Sequence, residues 1–149
     1  MHITVLREHL KEGLTITERI VGKSISLPIL QNVLFSVEKN TVVLAATDLQ
    51  IGVTYQIVGT GKNDGQVVFP PRILSSLVAL LPEKQTTLEA KDKTLVVESG
   101  NYRASIKTFE AEEFPIIPTP KGDEPSVEVE AGAFCRGIAQ VVSMAGQSQ

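Results

Sequence analysis

The chain repeats one local pattern three times: a short β-prone run that passes almost directly into a run with helical spacing. The first copy is Ile3 to Leu6 followed by residues 7 to 21, where Leu10, Leu14, Thr17 and Val21 share one face. The second is Val67 to Phe69 followed by 71 to 81. Pro71 suits a first helical turn because its missing N–H would find no partner there, and Leu74, Leu77, Val78 and Leu81 form the apolar stripe. The third is Val127 and Val129, alternating with acids, followed by 132 to 145, with Phe134, Ile138, Val141, Val142 and Ala145 on one side.

Three strand-like runs follow each of the first two copies. After copy one they are 33 to 38, 41 to 47 and 51 to 58; after copy two, 86 to 90, 94 to 98 and 102 to 108. Lys39-Asn40 joins the first pair, with Asn the residue suited to a positive φ, and Asp92 and Ser99-Gly100 supply later turns. The unit is β-α-β-β-β, used twice. Residues 1–118 are therefore expected to form an α+β domain with antiparallel sheets. The Pro-rich, acidic residues 119–125 read as a linker, and 126–149 as the start of another domain that cannot bury a core alone.

Formal charge is −3, but residues 109 to 130 carry seven acids against Lys121, which leaves the remainder at +3. No apolar stretch is long enough to span a bilayer, and the N-terminus lacks the apolar region of a secretory signal. One cysteine, Cys135, excludes an internal disulfide and agrees with a cytoplasmic chain. It reads as a small buried hydrophobe. His2 and His9 stand far from it, so no metal or other cofactor is implied.

Catalytic constellations are lacking. Gly22-Lys23-Ser24 follows a helix instead of preceding one, and Thr17 stands where a phosphate loop needs its first glycine. Asp48, at a strand end, reads as a local turn former. The first helix carries Arg7, Lys11 and Arg19 interleaved with Glu8, Glu12 and Glu18, the pattern of a solvated face. The second is different: Ile73 and Leu80 widen its apolar stripe beyond one sheet contact, and Arg72 is its one charge.

Several segments, in order, carry a family resemblance: REHL at 7 to 10, SLPILQNVLF at 26 to 35, AATDLQIGV at 45 to 53, FPPR at 69 to 72, SGNYRASI at 99 to 106, EEFPIIP at 112 to 118 and SMAGQ at 143 to 147. Nearly the whole chain resembles the N-terminal part of the bacterial sliding clamp, the beta subunit of DNA polymerase III. The resemblance implies a DNA-clamp fold with strands outside and two helices on the inner face. It also implies a non-catalytic processivity factor that encircles double-stranded DNA as a homodimer and tethers DNA polymerase III and the clamp loader.

Carried over by position, DNA contacts fall on Ser24, Arg72 and Gln147, with Lys23 a substitute for the basic residue often found where Ser24 stands. The ring-closing interface falls on Leu77, Leu81, Arg103, Ala104 and Ile106, with Ala104 smaller than the aromatic often found there. The pocket for partner peptides lies outside these residues, so the chain itself is expected neither to close a ring nor to bind those peptides. Two alternatives differ in class: a self-associating module that pairs through strand edges without a DNA role, and a nucleic-acid-processing enzyme.

Overall fold

A computed structural model describes residues 1–21, 27–118 and 127–145. The first strand, β1 (His2–Leu6), runs into helix α1 (Arg7–Glu18), followed by β2 (Val33–Glu38), β3 (Thr41–Thr47) and β4 (Gly52–Asn63). The same order returns as β5 (Gly65–Phe69), α2 (Pro71–Leu80), β6 (Gln85–Lys91), β7 (Thr94–Ser99) and β8 (Tyr102–Lys107). All neighbours are antiparallel, in the order β5-β2-β3-β4-β1-β6-β7-β8. The sequence reading of two β-α-β-β-β units in an α+β fold is what the structure shows, as one continuous sheet.

The duplication holds residue by residue. Ile3 pairs with Leu88 across β1 and β6, and its counterpart Val67 pairs with Phe35 across β5 and β2. Thr4 faces Thr60 where β1 meets β4; the counterpart is an isolated bridge between Val68 and Phe109. The Gly59 N–H donates to the Asn40 carbonyl at 2.8 Å, and the Thr108 N–H donates to the Lys93 carbonyl at 3.0 Å. Such agreement in register requires a pseudo-twofold relation between the halves.

Both helices cover one face of the sheet and pack on each other. Leu10 and Leu14 of α1 and Leu74 and Val78 of α2 are fully buried in a single core with Ile3, Phe35, Leu44, Phe69, Leu88 and Leu95. Each such side chain contributes about 1.5–3 kcal/mol. Gly13 lets α1 approach closely, since a Cβ there would lie 2.6 Å from Leu44 Cδ1 and 2.7 Å from Tyr55 Cδ1.

Three local expectations are corrected. First, β4 extends to Asn63 because it changes partner: Gly52–Val58 pairs with β3 and the remainder with β1. Second, the positive φ of the β2–β3 turn falls on Lys39 (55°), not Asn40, whose side-chain oxygen instead accepts from the Gly61 N–H at 3.3 Å. Third, Val127 and Val129 form no strand and are exposed. A strand needs a neighbour for its N–H and C=O groups, and among the described residues of their unit there is none.

By contact, the chain divides into Met1–Pro118 and Thr119–Gln149. In the second unit α3 (Ala131–Val141) is capped by Glu130, whose carboxylate accepts from the Gly132 N–H at 2.8 Å and from the Ala133 N–H. Its apolar residues Phe134, Ile138 and Val141 are exposed. So is Cys135, against the expectation of a buried thiol, because none of the described residues of its unit is buried.

Candidate nucleic-acid interface

Arg72 is exposed in the first turn of α2 and makes no hydrogen bond or ion pair among the described residues. That turn contains no acid. A cation at the positive end of a helix dipole costs about 0.3–1 kcal/mol, so Arg72 does not stabilise its helix through the dipole. A phosphate beside it would be favoured by both the guanidinium and the helix N-terminus. Lys23, Ser24 and Gln147 lie outside the described residues.

The charged face of α1 is less uniform than its sequence pattern. Arg7 is half-buried, and its Nη1 donates to the carbonyl of Leu81, where α2 ends. No basic residue stands in the last turn of α2, so Arg7 supplies both a donor for a terminal carbonyl and a cation for the negative end of the dipole. It is a structural residue, which sequence spacing did not reveal because its partner is 74 positions away. Lys11 and Arg19 are exposed and form no ion pair among the described residues.

The proposed ring-closing residues separate into two groups. Leu81 and Ile106 are 3% and 4% exposed and face this chain's own core, so they are not free to touch a partner. Leu77 and Ala104 are half-buried, and Arg103 is exposed, pairing with Glu98 at 3.3 Å. The apolar groups that do reach the surface on these elements are Ile73, Leu80 and Tyr102. Ile73 and Leu80 were legible from the breadth of the stripe on α2; Tyr102 was not singled out.

Asp48 forms the expected turn. Its carboxylate accepts from the Ile51 N–H at 2.8 Å and the Gln50 N–H at 2.9 Å, and these bonds hold it below the usual value of 3.8. Among the described residues no cluster of three or more His, Cys, Asp or Glu is placed to hold a metal ion, and no helix is long and apolar enough to cross a membrane.

The model of the DNA polymerase III beta subunit, N-terminal domain, matches residues 1–118, the whole of the first compact unit. The chain belongs to this family. Within the beta-subunit family, a Synechocystis protein named beta sliding clamp is 29% identical over 136 residues, covering 84% of this chain and 34% of the relative. A Micrococcus luteus beta sliding clamp is 26% identical over 147 residues, covering 99% and 47%. The crystal structure of the DNA polymerase III subunit beta from Pseudomonas aeruginosa superposes with a TM-score of 0.86 at 28% identity, covering 100% of this chain and 40% of that one. The chain thus spans between about a third and a half of these beta subunits.

Proposed function

We propose that the chain acts as part of a sliding clamp, a cytoplasmic, non-catalytic processivity factor of bacterial DNA replication. Residues 1–118 are its N-terminal domain, 119–125 a linker and 126–149 the beginning of a middle domain. The observation that carries this reading is the family match across the complete duplicated unit, with both helices on one face of its sheet. In the assembled clamp that face looks onto double-stranded DNA. Lys23, Ser24, Arg72 and Gln147 meet phosphates without reading bases, which is how a chain of net charge −3 serves DNA. Enclosure, with few direct contacts, then provides retention.

Ring closure into a homodimer uses the end of the unit formed by α2 and β8. Leu77, Arg103 and Ala104 contribute surface there, while Leu81 and Ile106 support them from the core. DNA polymerase III and the clamp loader bind elsewhere on the clamp.

The test joins these 149 residues to the remaining length of the Pseudomonas aeruginosa beta subunit and loads the product on nicked circular DNA. It is expected to stay on the circle through gel filtration and to leave once the DNA is cut. Dimerisation without retention on the circle would refute the reading. It would favour instead the self-associating module, to which the open edges of β4 and β8 lend support.

A further inference from the structure

The two halves of the duplicated unit correspond in register but are finished differently. On the helix side the bulk is exchanged. Gly13 and Leu77 are each the seventh residue of their helices, and Tyr55, opposite Leu44 in the sheet, corresponds to Ala104, opposite Val97. Tyr55 packs at Gly13, so one half has its large side chain on the strand and the other has it on the helix.

The other side of the sheet differs more. Side chains alternate along a strand. With Phe35, Leu44 and Val67 turned toward the helices, Val68, Leu34, Ala45 and Thr54 make one row on the opposite face, across β5, β2, β3 and β4. The counterpart row in the second half is Thr4, Thr87, Glu98 and Arg103. It is polar and bonded within itself: the hydroxyls of Thr4 and Thr87 share a hydrogen bond of 2.9 Å, Arg103 pairs with Glu98 at 3.3 Å, and none of the four is buried. In the first half, by contrast, Val68 is 0% exposed and Ala45 5%, although both helices lie on the other face.

Their cover is residues 109–118, the last stretch of the first unit. Phe109 is bridged to Val68: its N–H donates to the Val68 carbonyl at 2.7 Å, and its carbonyl accepts from the Val68 N–H at 3.2 Å. Farther along, Ile117 lies over Gly52, where a Cβ would stand 2.7 Å from Ile117 Cγ2. The segment therefore crosses the sheet from β5 to β4, and Phe114, between these fixed points, is 7% exposed. Phe114, Val68 and Ala45 are buried apart from the core beneath the helices. The remaining fastening is an ion pair in solvent, Lys93 to Glu110 at 2.8 Å. Among the described residues, 111–118 make no hydrogen bond to the sheet.

We infer that residues 109–118 are a latch, which lifts as a unit while both halves and the helix-side core stay folded, and which closes by seating Phe114. The second half shows that this fold stands with its outer face open, so the first half does not need the cover to hold its strands. A satellite cluster this small opens at a lower free energy than the unit as a whole. Closed, the latch brings the chain to Pro118 beside β4. Lifted, it frees about 33–36 Å of extended chain, so that whatever follows is held on a tether of two lengths. This goes beyond the clamp reading and requires neither DNA nor a second copy.

Amide hydrogen exchange of the 149-residue chain in low urea tests it. The N–H groups of Phe109 and Val68 are expected to exchange through a shared opening that is more frequent than that of the β1 and β6 amides. Its dependence on urea should also be shallower, because that slope scales with the surface exposed. Phe114→Asp should hold the latch open. Both amides then lose protection by at least about tenfold, while β1 and β6 stay protected and circular dichroism keeps a cooperative unfolding transition. In small-angle scattering the largest dimension of this variant should grow, by no more than the about 33–36 Å of freed chain.

The inference is overturned if the Phe109 and Val68 amides of the unaltered chain share the protection and urea slope of β1 and β6. It is overturned equally if Phe114→Asp unfolds the whole unit, or if the largest dimension does not change. The clamp reading fails in a different assay, retention on circular DNA, so the two can be told apart.

Discussion

Removing the guanidinium of Arg7 should weaken the fold and leave DNA contact untouched, although its place among the interleaved charges of α1 reads as part of a solvated face. The side chain is half-buried and donates to the carbonyl of Leu81 at the end of α2. Hydrogen bonds from a charged donor are worth about 1.5–3 kcal/mol. The favourable interaction with the helix terminus adds about 0.3–1 kcal/mol. Because α2 has no other cation in its last turn, nothing replaces Arg7. Arg7→Ala is therefore expected to cost about 2–3 kcal/mol and to lower Tm by roughly 6–12 °C for a unit of this size. Urea unfolding followed by circular dichroism measures the loss directly, and Arg7→Lys should recover part of it. In the same preparation, the dependence of DNA binding on salt should keep its slope. The reasoning is wrong if Tm moves by no more than a degree, or if the salt slope falls as it would on losing a phosphate contact.

Arg72 should behave in the opposite way. Arg72→Ala is expected to leave stability unchanged or slightly higher, since a cation leaves the N-terminal end of α2, and to reduce the logarithmic salt slope of DNA binding by about 0.9. Gly13→Ala gains helix propensity of about 1 kcal/mol but forces Leu44 and Tyr55 aside, at about 1–3 kcal/mol; a net loss near 1 kcal/mol in urea unfolding is expected. A gain in stability would show that α1 has room to lift. The carboxyl of Asp48 is held below 3.8 in the folded chain, so its contribution is complete at neutral pH and is lost as pH falls through the folded value. The stability difference between the unaltered chain and Asp48→Ala should accordingly shrink in acid, and a difference independent of pH down to acid unfolding would contradict the turn bonds as its source.

Most of the fold was legible because its signals are local. The short β-prone runs 41 to 47 and 94 to 98, and the helical spacing of Leu10, Leu14, Leu74 and Val78, gave strands and helices that the structure keeps. Residues 59–63 of β4 were missed because GTGKN carries no apolar side chain to mark a strand. Its glycines are there for another reason. A Cβ on Gly59 would lie 2.8 Å from the Thr4 carbonyl oxygen, and one on Gly61 would lie 3.1 Å from that of His2, so only glycine lets β4 cross to β1. That partner is nearly sixty positions away, beyond any local pattern.

The candidate site was less legible than the fold. Arg72 was visible as a lone charge on an apolar helix. Helical spacing placed Leu81 on the apolar stripe, and it is buried, but the role of Arg7 and the burial of Ile106 depend on long-range packing, which spacing along one element does not encode. Tyr102 differs from Ala104 only in pointing the same way from the same strand with more surface, a distinction that needs the strand's neighbours.

The exchange of bulk between Gly13 with Tyr55 and Leu77 with Ala104 bears on how this chain avoids confusing its own halves. Two segments with matching register invite a strand of one half to seat itself in the other during folding, or in a neighbouring molecule. Here β4 beneath α2 would set Tyr55 against Leu77, two large side chains in one place, while β8 beneath α1 would set Ala104 against Gly13 and leave a hole. The mismatch penalises both errors at once, so the tandem copies can keep one architecture and still find their proper mates.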